Sequence, residues 1–398
     1  MGFPQTGYTG YTGYTGYTGY TGYTGYTGYT GYNGFGGGQN GIPPQALITN
    51  RDGIVGTELE VPVAMNPGVP NDPRNLSRLS PSVRAHIFDF ALMSSIEMTF
   101  EAGTNPTAKL WRRTANPSNQ PGANYQQLVS LTAPSTEQLK DQLNFLYGYA
   151  NIRQDRAAEI ASQVQVPLPF YASISFLDPA RTPRTMEFLD AAIRFTVYAE
   201  MQMKYALAVK RPIEMSPQVQ PIIETPTHGS LPSGHSTESF VTARLILELM
   251  RQSNAPQYKN IGTAGDHWGE MLMRQAARIA TNRTVAGVHY PVDSVAGAVL
   301  GLTLADLITS LSSSEKKWTS ATFDGSSFDA KEDFDWHKVY NACDNEQAAE
   351  SKHGDVVWAT ATTEKTKGKP DPALSWLWKR AVKEWNDLSV NDPLDADV

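Results

Sequence analysis

Cysteine is almost absent from this sequence of 398 residues, in which Cys343 is the only one. A single cysteine cannot form an intrachain disulfide, so a small fold held together by disulfides is excluded. Charged side chains make up 18% of the chain and hydrophobic ones 40%, which is compatible with a substantial buried core. The length allows one large domain or two smaller ones.

Positively charged residues are fewer than negatively charged ones: the chain has 33 lysine and arginine residues and 40 aspartate and glutamate residues, which gives a net charge of -7. Proteins that bind nucleic-acid phosphates need a basic surface. We therefore expect no nucleic-acid partner. Any group of cations in this chain stands against an acidic background.

The N-terminus lacks the basic and apolar segments of an ordinary signal peptide. This favours a cytoplasmic location by default and leaves non-standard export open. The most apolar long run, residues 292–311, contains Asp293 and Asp306. Carboxylates are costly inside a bilayer, so we interpret this run as a buried helix and expect no membrane span.

Residues 1–38 form a low-complexity Gly-Tyr-Thr repeat tail, with glycine at every third position from Gly7 to Gly37. Such periodicity is typical of collagen-like packing, but the proline of collagen is missing. A disordered tail whose tyrosines self-associate is the favoured interpretation, and an assembly device is the alternative. We expect a homo-oligomer, which this repeat holds together in the second case.

The Pro-Ser-Gly-His turn at residues 232–235 lies at the centre of the sequence, followed by apolar residues at helical spacing. A helix that begins here presents main-chain N–H groups and the Ser233 hydroxyl to one point. Such a helix start favours an anion, and Gly234 lets the main chain approach it closely. The turn therefore predicts an oxyanion site.

Three cations and a second histidine flank this turn. Lys204 and Arg211 lie two helical turns apart, on one face of a predicted helix that Pro212 ends. Downstream, the segment from Arg283 to Asp293 has the sequence Arg-Thr-Val-Ala-Gly-Val-His-Tyr-Pro-Val-Asp. Arginine and lysine bind a tetrahedral oxyanion through charge-assisted hydrogen bonds, which supports the predicted site.

In this order and spacing, the three pieces resemble the signature of the superfamily of type 2 phosphatidic acid phosphatases and vanadium-dependent haloperoxidases, in its soluble, bacterial-type members. The resemblance covers about the middle quarter of the chain. It departs at Asn282, where the family usually has serine before the arginine. Asparagine also donates and accepts hydrogen bonds, so we expect the anion site to survive. The resemblance implies an all-α helical bundle.

The chain divides into four predicted parts: a tail at 1–38, a linker or arm at 39–80, a helical catalytic domain at 81–312 and a polar C-terminal extension at 313–398. The extension is expected to pack on the core or on a partner. Residues 103–134 contain many Pro, Asn and Gly and are interpreted as a long loop. Few segments alternate with period two, so the residues themselves also favour an all-α fold.

The resemblance implies a role for each site residue. His289 reaches the anion from one apex and His235 faces the opposite apex. Asp293 fixes the tautomer of His289. The equatorial oxygens are held by five groups, those of Lys204, Arg211, Ser233, Gly234 and Arg283. The arrangement suits a trigonal bipyramid, which is the shape of bound vanadate and of an in-line phosphoryl-transfer transition state.

From this resemblance we expect a vanadium-dependent haloperoxidase. It oxidises a halide, bromide in our expectation, with hydrogen peroxide to hypohalous acid, which acts on a small organic acceptor. Vanadate is the expected cofactor, with His289 as its metal ligand. His228 corresponds to a halide-tuning position where bromoperoxidases carry histidine, and near the pocket mouth it is expected to titrate around the working pH. The expected catalytic residues are Lys204, His228, His235 and Asp293.

Two alternatives stay open. One is a soluble acid phosphatase in which His289 attacks phosphorus and His235 protonates the leaving group, and the His-Tyr-Pro sequence at 289–291 favours it. The other is a structural or assembly protein with a vestigial site, against which the intact set of site residues weighs. The remaining histidines are interpreted as structural or surface residues: His86, His267, His337 and His353.

Overall fold

The computed structural model describes residues 44–55, 69–115, 123–164, 168–263, 265–315, 317–365 and 369–387. The predicted repeat tail at 1–38 lies outside these residues, as does part of the predicted arm at 39–80. The folded part combines a bundle of helices with a β-sheet.

The helices before the central motifs are α1 (Pro44–Ile54), α2 (Pro81–Met93), α3 (Thr136–Tyr149), α4 (Arg153–Ser162) and α5 (Leu168–Ser175). The central helices are α6 (Pro183–Leu207), the short α7 (Pro212–Met215), α8 (Gly234–Gln252), α9 (His267–Val285) and α10 (Pro291–Ser312). The helix α11 (Pro372–Asp387) follows the last strand. Serine side chains cap the starts of two of these helices, Ser80 that of α2 and Ser135 that of α3, as is typical of helix N-termini.

The prediction of an all-α fold is wrong, because the described residues also contain a six-stranded mixed sheet and a two-stranded one. The strands are β1 (Ile96–Glu101), β2 (Thr107–Ala115), β3 (Ala123–Thr132), β4 (Lys317–Asp324), β5 (Tyr340–Asn341), β6 (Glu346–Gln347), β7 (Glu350–His353) and β8 (Val356–Lys365). The large sheet has the order β1-β2-β3-β4-β8-β7, and β5 pairs with β6. The β3–β4 pair is parallel and the other pairs are antiparallel.

Much of the predicted loop at 103–134 is therefore strand, and β2 shows why the pattern was obscured. Ala108 and Leu110 are buried at alternate positions, but the next inward position is a buried arginine, Arg112. Its guanidinium lies over the Trp318 ring of β4, 5.1 Å from the centroid, so an aromatic partner on another strand compensates its burial. An arginine at an inward position breaks the alternation by which strands are identified.

The helix α8 is the centre of the bundle and packs against α6, α9 and α10. Gly297 and Gly301 on α10 make the contact between α8 and α10 close. A Cβ atom at Gly297 would lie 2.6 Å from the main-chain oxygen of Ser233, and one at Gly301 would lie 2.5 Å from that of Thr237. This approach brings the start of α10 against the start of α8.

The helix α10 is long and apolar enough to cross a membrane, but 89% of its most apolar window is buried inside the protein. This burial agrees with the prediction of a core helix. The C-terminal helix α11 packs on α6, as an amphipathic helix should, and buries Trp376 and Trp385. Its Glu384 also accepts hydrogen bonds from the first main-chain N–H groups of α6, at Arg184 and Thr185.

Candidate active site

His289 lies in the turn between α9 and α10, where its ring is buried. Its Nδ1 is 3.0 Å from Oδ2 of Asp293, which confirms the predicted contact. The same oxygen accepts hydrogen bonds from the Tyr290 main-chain N–H at 3.0 Å and the Ser230 hydroxyl at 2.5 Å. These bonds hold the carboxylate against Nδ1, so the proton of the neutral ring lies on Nδ1 and the lone pair on Nε2.

Arg211 covers that lone pair. Its Nη1 lies 2.9 Å from Nε2 of His289 and also donates to the Val288 carbonyl at 2.8 Å. Because arginine can only donate, Nε2 accepts here. Burial, and then the charge of Arg211, lower the pKa of His289 well below its ordinary value, so the ring is neutral. A neutral imidazole with its lone pair on Nε2 can act as a nucleophile or as a ligand.

Arg283 is a buried cation with unused donors. Its Nη2 donates to the Ile160 carbonyl at 3.3 Å and to Oε1 of Gln163 at 3.2 Å. Its Nε and Nη1 are buried and have no hydrogen-bond partner among the described residues. Burial lowers its pKa to about 10, so it still carries its charge near neutral pH. A buried donor without a partner costs about 1–3 kcal/mol, so an oxyanion that accepts from it is stabilised here.

Lys204 lies behind this group rather than in the cleft. Its ammonium donates to the main-chain carbonyls of Gly229, Ser230 and Pro232, which accounts for its three protons. Burial, and then Arg211, lower the pKa of Lys204 to about 7. The contacts give Lys204 the task of holding the loop before α8. The contact of Lys204 with an equatorial oxygen of the anion stays a prediction.

The start of α8 is built as predicted around Ser233 and Gly234. Ser233 is the N-cap, and its hydroxyl oxygen accepts from the Ser236 main-chain N–H at 3.4 Å. Gly234 lines the cleft. A Cβ atom at Gly234 would lie 2.6 Å from Oε1 of Glu200, so the absent side chain also makes room for that carboxyl group.

The cleft has a volume of about 40 Å³. It brings together six of the predicted site residues, namely Arg211, His228, Gly234, His235, Arg283 and His289. Lys204, Ser233 and Asp293 are buried beside it and support the residues that line it. This small volume suits an anionic group and excludes a bulky organic one.

Two glutamates that the sequence-based interpretation did not assign also line the cleft. Glu200 lies on α6, one turn before Lys204, and Glu238 lies on α8, one turn after His235. Burial, and then Glu238, raise the pKa of Glu200 well above its ordinary value. Burial raises the pKa of Glu238 to about 7, against the charges of Lys204 and Arg283. The charge of the cleft therefore depends on which of these carboxyl groups carry protons.

His235 is held by main chain outside α8. Its Nε2 lies 2.9 Å from the Gln163 carbonyl and donates to it. Burial, and then the charge of Arg283, lower the pKa of His235 to about 3. The ring is neutral near neutral pH, which removes the charged form that a histidine acid requires.

Gln163 and Asn282 connect these groups. Oε1 of Gln163 accepts from Arg283 and, at 2.8 Å, from Nδ2 of Asn282, whose Oδ1 accepts from Nη1 of Arg156 at 3.0 Å. Asn282 thus uses both ends of its amide to orient Gln163. Its place in this network agrees with the expectation that the departure from the family pattern preserves the anion site.

Comparison with known families gives one match within the chain: residues 189–317, which contain every predicted site residue, match the family model of the PAP2 superfamily. This segment of the chain is therefore similar to the PAP2 superfamily. This match supports a phosphatase-type enzyme, and nothing in it supports the predicted haloperoxidase activity in particular.

Among solved structures, this chain is similar to the first transmembrane PAP2 type phosphatidylglycerolphosphate phosphatase from Bacillus subtilis. The sequence identity is 17% over 43% of this chain and 94% of that chain, with a TM-score of 0.26. A likeness at this level transfers neither substrate nor membrane location. A search of curated proteins gives no match.

His228 lines the cleft, as the sequence predicts, and its Nδ1 is 3.0 Å from Nη2 of Arg211. The expectation that it titrates near its ordinary value is wrong. Burial, and then Lys204 and Arg211, lower its pKa to about 3. The other histidines, which the sequence interprets as structural or surface residues, do not line the cleft, and all four are exposed: His86, His267, His337 and His353.

A larger cavity than this cleft, about 490 Å³, lies away from these residues. Its buried cation Arg244 is paired with Glu248 at 2.7 Å and with Asp306 at 3.2 Å. Arg251 is paired with Glu248 and Glu315. Arg244 and Arg251 are therefore neutralised, unlike Arg283, and the smaller cleft is the better anion site.

Sequence reasoning missed Gln163, Glu200 and Glu238. Gln163 follows α4, outside the matched segment, and no motif marks it. The two glutamates had a signal, because each is one helical turn from an assigned residue, Glu200 from Lys204 and Glu238 from His235. Residues four or three apart on a helix share a face, so this spacing could have indicated that both glutamates lie at the site.

Proposed function

We propose that this chain is a phosphoester hydrolase that works through a phosphohistidine at His289. The observation that carries the proposal is a buried, neutral His289 with its lone pair on Nε2, at the cleft. Arg283 lines the same cleft, and among the described residues its Nε and Nη1 have no hydrogen-bond partner. The PAP2 match supports it. It corresponds to the first alternative that the sequence left open and takes precedence over the haloperoxidase.

The phosphoryl group would be held by Arg283, Arg211 and the main-chain N–H at the start of α8. Arg211 donates to Nε2 of His289. A phosphoryl oxygen competes for this guanidinium, and once Arg211 donates to that oxygen, Nε2 is free to attack phosphorus. Binding of the anion and release of the nucleophile are then one event.

Asp293 would stabilise the charge that develops on His289. As Nε2 bonds to phosphorus, the imidazole becomes cationic, and its Nδ1–H already donates to Oδ2 of Asp293. Water then attacks the phosphohistidine in the second half-reaction and releases phosphate. The cleft of about 40 Å³ admits the phosphoryl group, so the organic part of the ester would lie outside it.

Trapping the intermediate tests the proposal. The full chain is mixed briefly with phenyl phosphate labelled with ³²P, quenched in alkali and digested for mass spectrometry. We expect label on His289, and none in His289→Ala. The control is His86→Ala, an exposed histidine of α2, which should be labelled normally. Ester hydrolysis without label on His289 contradicts the covalent mechanism, and absence of hydrolysis contradicts the proposed function.

A vanadate haloperoxidase is the second candidate, favoured by one observation: His228 lies on the cleft beside Arg211, as predicted for a halide-tuning residue. The same donors fit vanadate, since the unpaired Nε and Nη1 of Arg283 suit any tetrahedral oxyanion. His289, Arg211 and Arg283 would hold it, and bound vanadate would supply a Lewis-acid centre for peroxide.

Bromination of a phenol-type dye with peroxide, with and without added vanadate, tests this candidate. Vanadate-dependent bromination that His228→Ala lowers, with aryl phosphate hydrolysis of the vanadate-free protein much less affected, would support it. Bromination that is absent in the wild type, beside efficient hydrolysis of aryl phosphates, excludes it.

A further inference from the structure

Glu200 is a buried carboxyl group beside the start of α8. It lies on α6, one turn before Lys204, and is only 1% exposed. Its Oε1 occupies the space beside Gly234, 2.6 Å from where a Cβ atom of that residue would be. The main-chain N–H groups that begin a helix have no partner within it, so this carboxyl group and those donors meet at the cleft.

Neither oxygen of Glu200 has a hydrogen bond among the described residues, and its Oε2 is buried. The neighbouring cations are engaged elsewhere. Lys204 gives its protons to three main-chain carbonyls, and Arg211 donates from Nε, Nη1 and Nη2 to other groups. A buried carboxylate without a direct cationic partner is unfavourable, so such a group takes up a proton instead. Burial, and then Glu238, accordingly raise the pKa of Glu200.

A protonated Glu200 has a proton to donate, and nothing in the described part of the chain accepts it. We propose that Glu200 binds the oxyanion in its acid form, by donating its carboxyl proton to an oxygen of the anion at the start of α8. The inference rests on the proposed function in taking a phosphoryl group as that anion. It adds to the site a residue that belongs to none of the three motif pieces.

A neutral donor suits this place in the cleft. A carboxylic acid that burial keeps neutral can hydrogen-bond to an oxyanion, as a main-chain N–H does. Once Glu200 loses its proton, its carboxylate faces the anion with a charge of the same sign. Anion binding should therefore depend on the proton of Glu200.

Other titratable or charged groups face this carboxyl group from each element around the cleft. They are Lys204 on α6 and Arg211 after it, His235 and Glu238 on α8, Arg283 on α9, Glu224 and His228 in the loop before α8, and His289 before α10. A test that relies on pH must separate Glu200 from these groups.

Sulfate distinguishes the acid from the carboxylate. Near neutral pH sulfate carries no proton, so it can only accept hydrogen bonds, and its charge stays constant from pH 5 to pH 9. A Glu200 acid donates to it, whereas a Glu200 carboxylate repels it and accepts only from a protonated phosphate oxygen. Sulfate is not hydrolysed, so its affinity reports binding alone.

The test measures sulfate and inorganic phosphate binding to the full chain by calorimetry at pH 6. Glu200→Met removes the donor at similar side-chain size, so sulfate affinity should fall about 10- to 100-fold, the loss of a hydrogen bond to a charged group. Glu200→Gln keeps a donor in its amide and should stay within about 5-fold of the wild type. The control is Glu270→Met, at a salt-bridged position on α9 away from the cleft, which should bind as the wild type does.

A pH profile distinguishes a donated proton from a purely structural role. Sulfate affinity of the wild type should fall from pH 5 to pH 9 as Glu200 loses its proton, and it should fall less in Glu200→Gln. The difference between the profiles reports Glu200 together with its effect on Glu238 and Lys204. Parallel profiles overturn the proposal.

Binding results can also contradict the role of Glu200 directly. Unchanged or tighter sulfate binding in Glu200→Met overturns the proposal, as does a wild type that binds phosphate and rejects sulfate. A wild type that binds both anions through Glu200 but hydrolyses no aryl phosphate overturns the proposed function instead.

Infrared difference spectra of the wild type decide the matter if the variants do not fold. Sulfate should shift the C=O stretching band of a protonated carboxyl group, a band that carboxylates lack. A spectrum at pH 6 without such a shift overturns the proposal. In Glu200→Gln the shift should be missing, and a shift that persists there belongs to another carboxyl group and overturns the proposal as well.

Discussion

The guanidinium of Arg211 donates through Nη1 to Nε2 of His289 across 2.9 Å, so this cation covers the lone pair of the ring. The same side chain donates through Nε to the His228 carbonyl at 3.1 Å and through Nη2 to Nδ1 of that residue. A planar donor with fixed directions can satisfy all of these acceptors at once. The first prediction follows from this geometry.

Arg211→Lys should lower kcat/KM for aryl phosphates by about 10- to 100-fold, because a point charge cannot replace a guanidinium that contacts three groups. The inhibition constant of inorganic phosphate should rise in parallel. Steady-state kinetics measure both. Arg274→Lys, at an exposed salt bridge on α9, is the matched control and should change neither. Near-normal kinetics in Arg211→Lys would mean that Arg211 does not contact the substrate.

Arg283→Met should weaken binding while leaving the protein as stable as before, or more so. Its Nε and Nη1 are buried without partners in the described residues, so the fold gains little from them and the bound anion gains much. Phosphate affinity from calorimetry should fall at least about 10-fold, the effect of roughly 1.4 kcal/mol. A marked drop in Tm with affinity unchanged would make Arg283 a structural residue.

Asn282→Ala should lower stability and disturb the site indirectly. The change leaves Arg156 and the Gln163 amide with fewer partners, at a cost of about 1–3 kcal/mol for the buried groups. Gln163 would then hold Arg283 and His235 less firmly, so phosphate affinity should also decline. Urea denaturation and phosphate titration measure the two effects. Unchanged stability would show that the amide network contributes little.

Gly301→Ala should destabilise the fold by about 1–3 kcal/mol, because the added Cβ would lie 2.5 Å from the Thr237 main-chain oxygen and must push α10 away from α8. The matched control is Gly148→Ala in α3, where nothing lies within 4 Å of the added atom. That change should stabilise by about 0.5–1 kcal/mol, because alanine favours helix. Equal effects of both substitutions on the free energy of unfolding would contradict the close packing.

Glu238 should make the free energy of unfolding depend on pH. Its pKa is about 7 in the folded chain against an ordinary 4.5, so between these values the folded state holds a proton that the unfolded state has lost. Stability from this group is complete below pH 4.5 and is lost as pH rises towards 7. Lys204, with a pKa lowered from 10.5 to about 7, has the opposite sign at higher pH.

The measurement is the difference in Tm between the wild type and Glu238→Gln from pH 4.5 to pH 8. Lys204 and Glu238 each shift the pKa of the other, so the difference reports the Glu238 carboxyl group together with its effect on Lys204. The wild type should lose stability relative to the variant as pH rises. Parallel curves would show that the Glu238 carboxyl group titrates at its ordinary pKa.

Local patterns in the sequence determined the helices and the site. Proline, serine and apolar spacing located α2, α3 and the central helices, and the motif pieces located His235, His289 and the arginines. These signals act over a few residues, because capping and helical spacing are local interactions. The contact between Asp293 and His289 was also predictable, since the two lie four residues apart at a helix start.

Only the tertiary structure decided the sheet and the charge of the cleft. The strand β3 pairs in parallel with β4, although the central helices lie between the two strands in the sequence. Arg112 is tolerated inside because Trp318 of β4 covers it. Likewise, Glu200 and Glu238 share one cleft because α6 and α8 pack together. Burial beside Lys204, Arg211 and Arg283 then sets the pKa of these two carboxyl groups. A local sequence pattern does not indicate which charged groups become neighbours in the fold or how far each is removed from water.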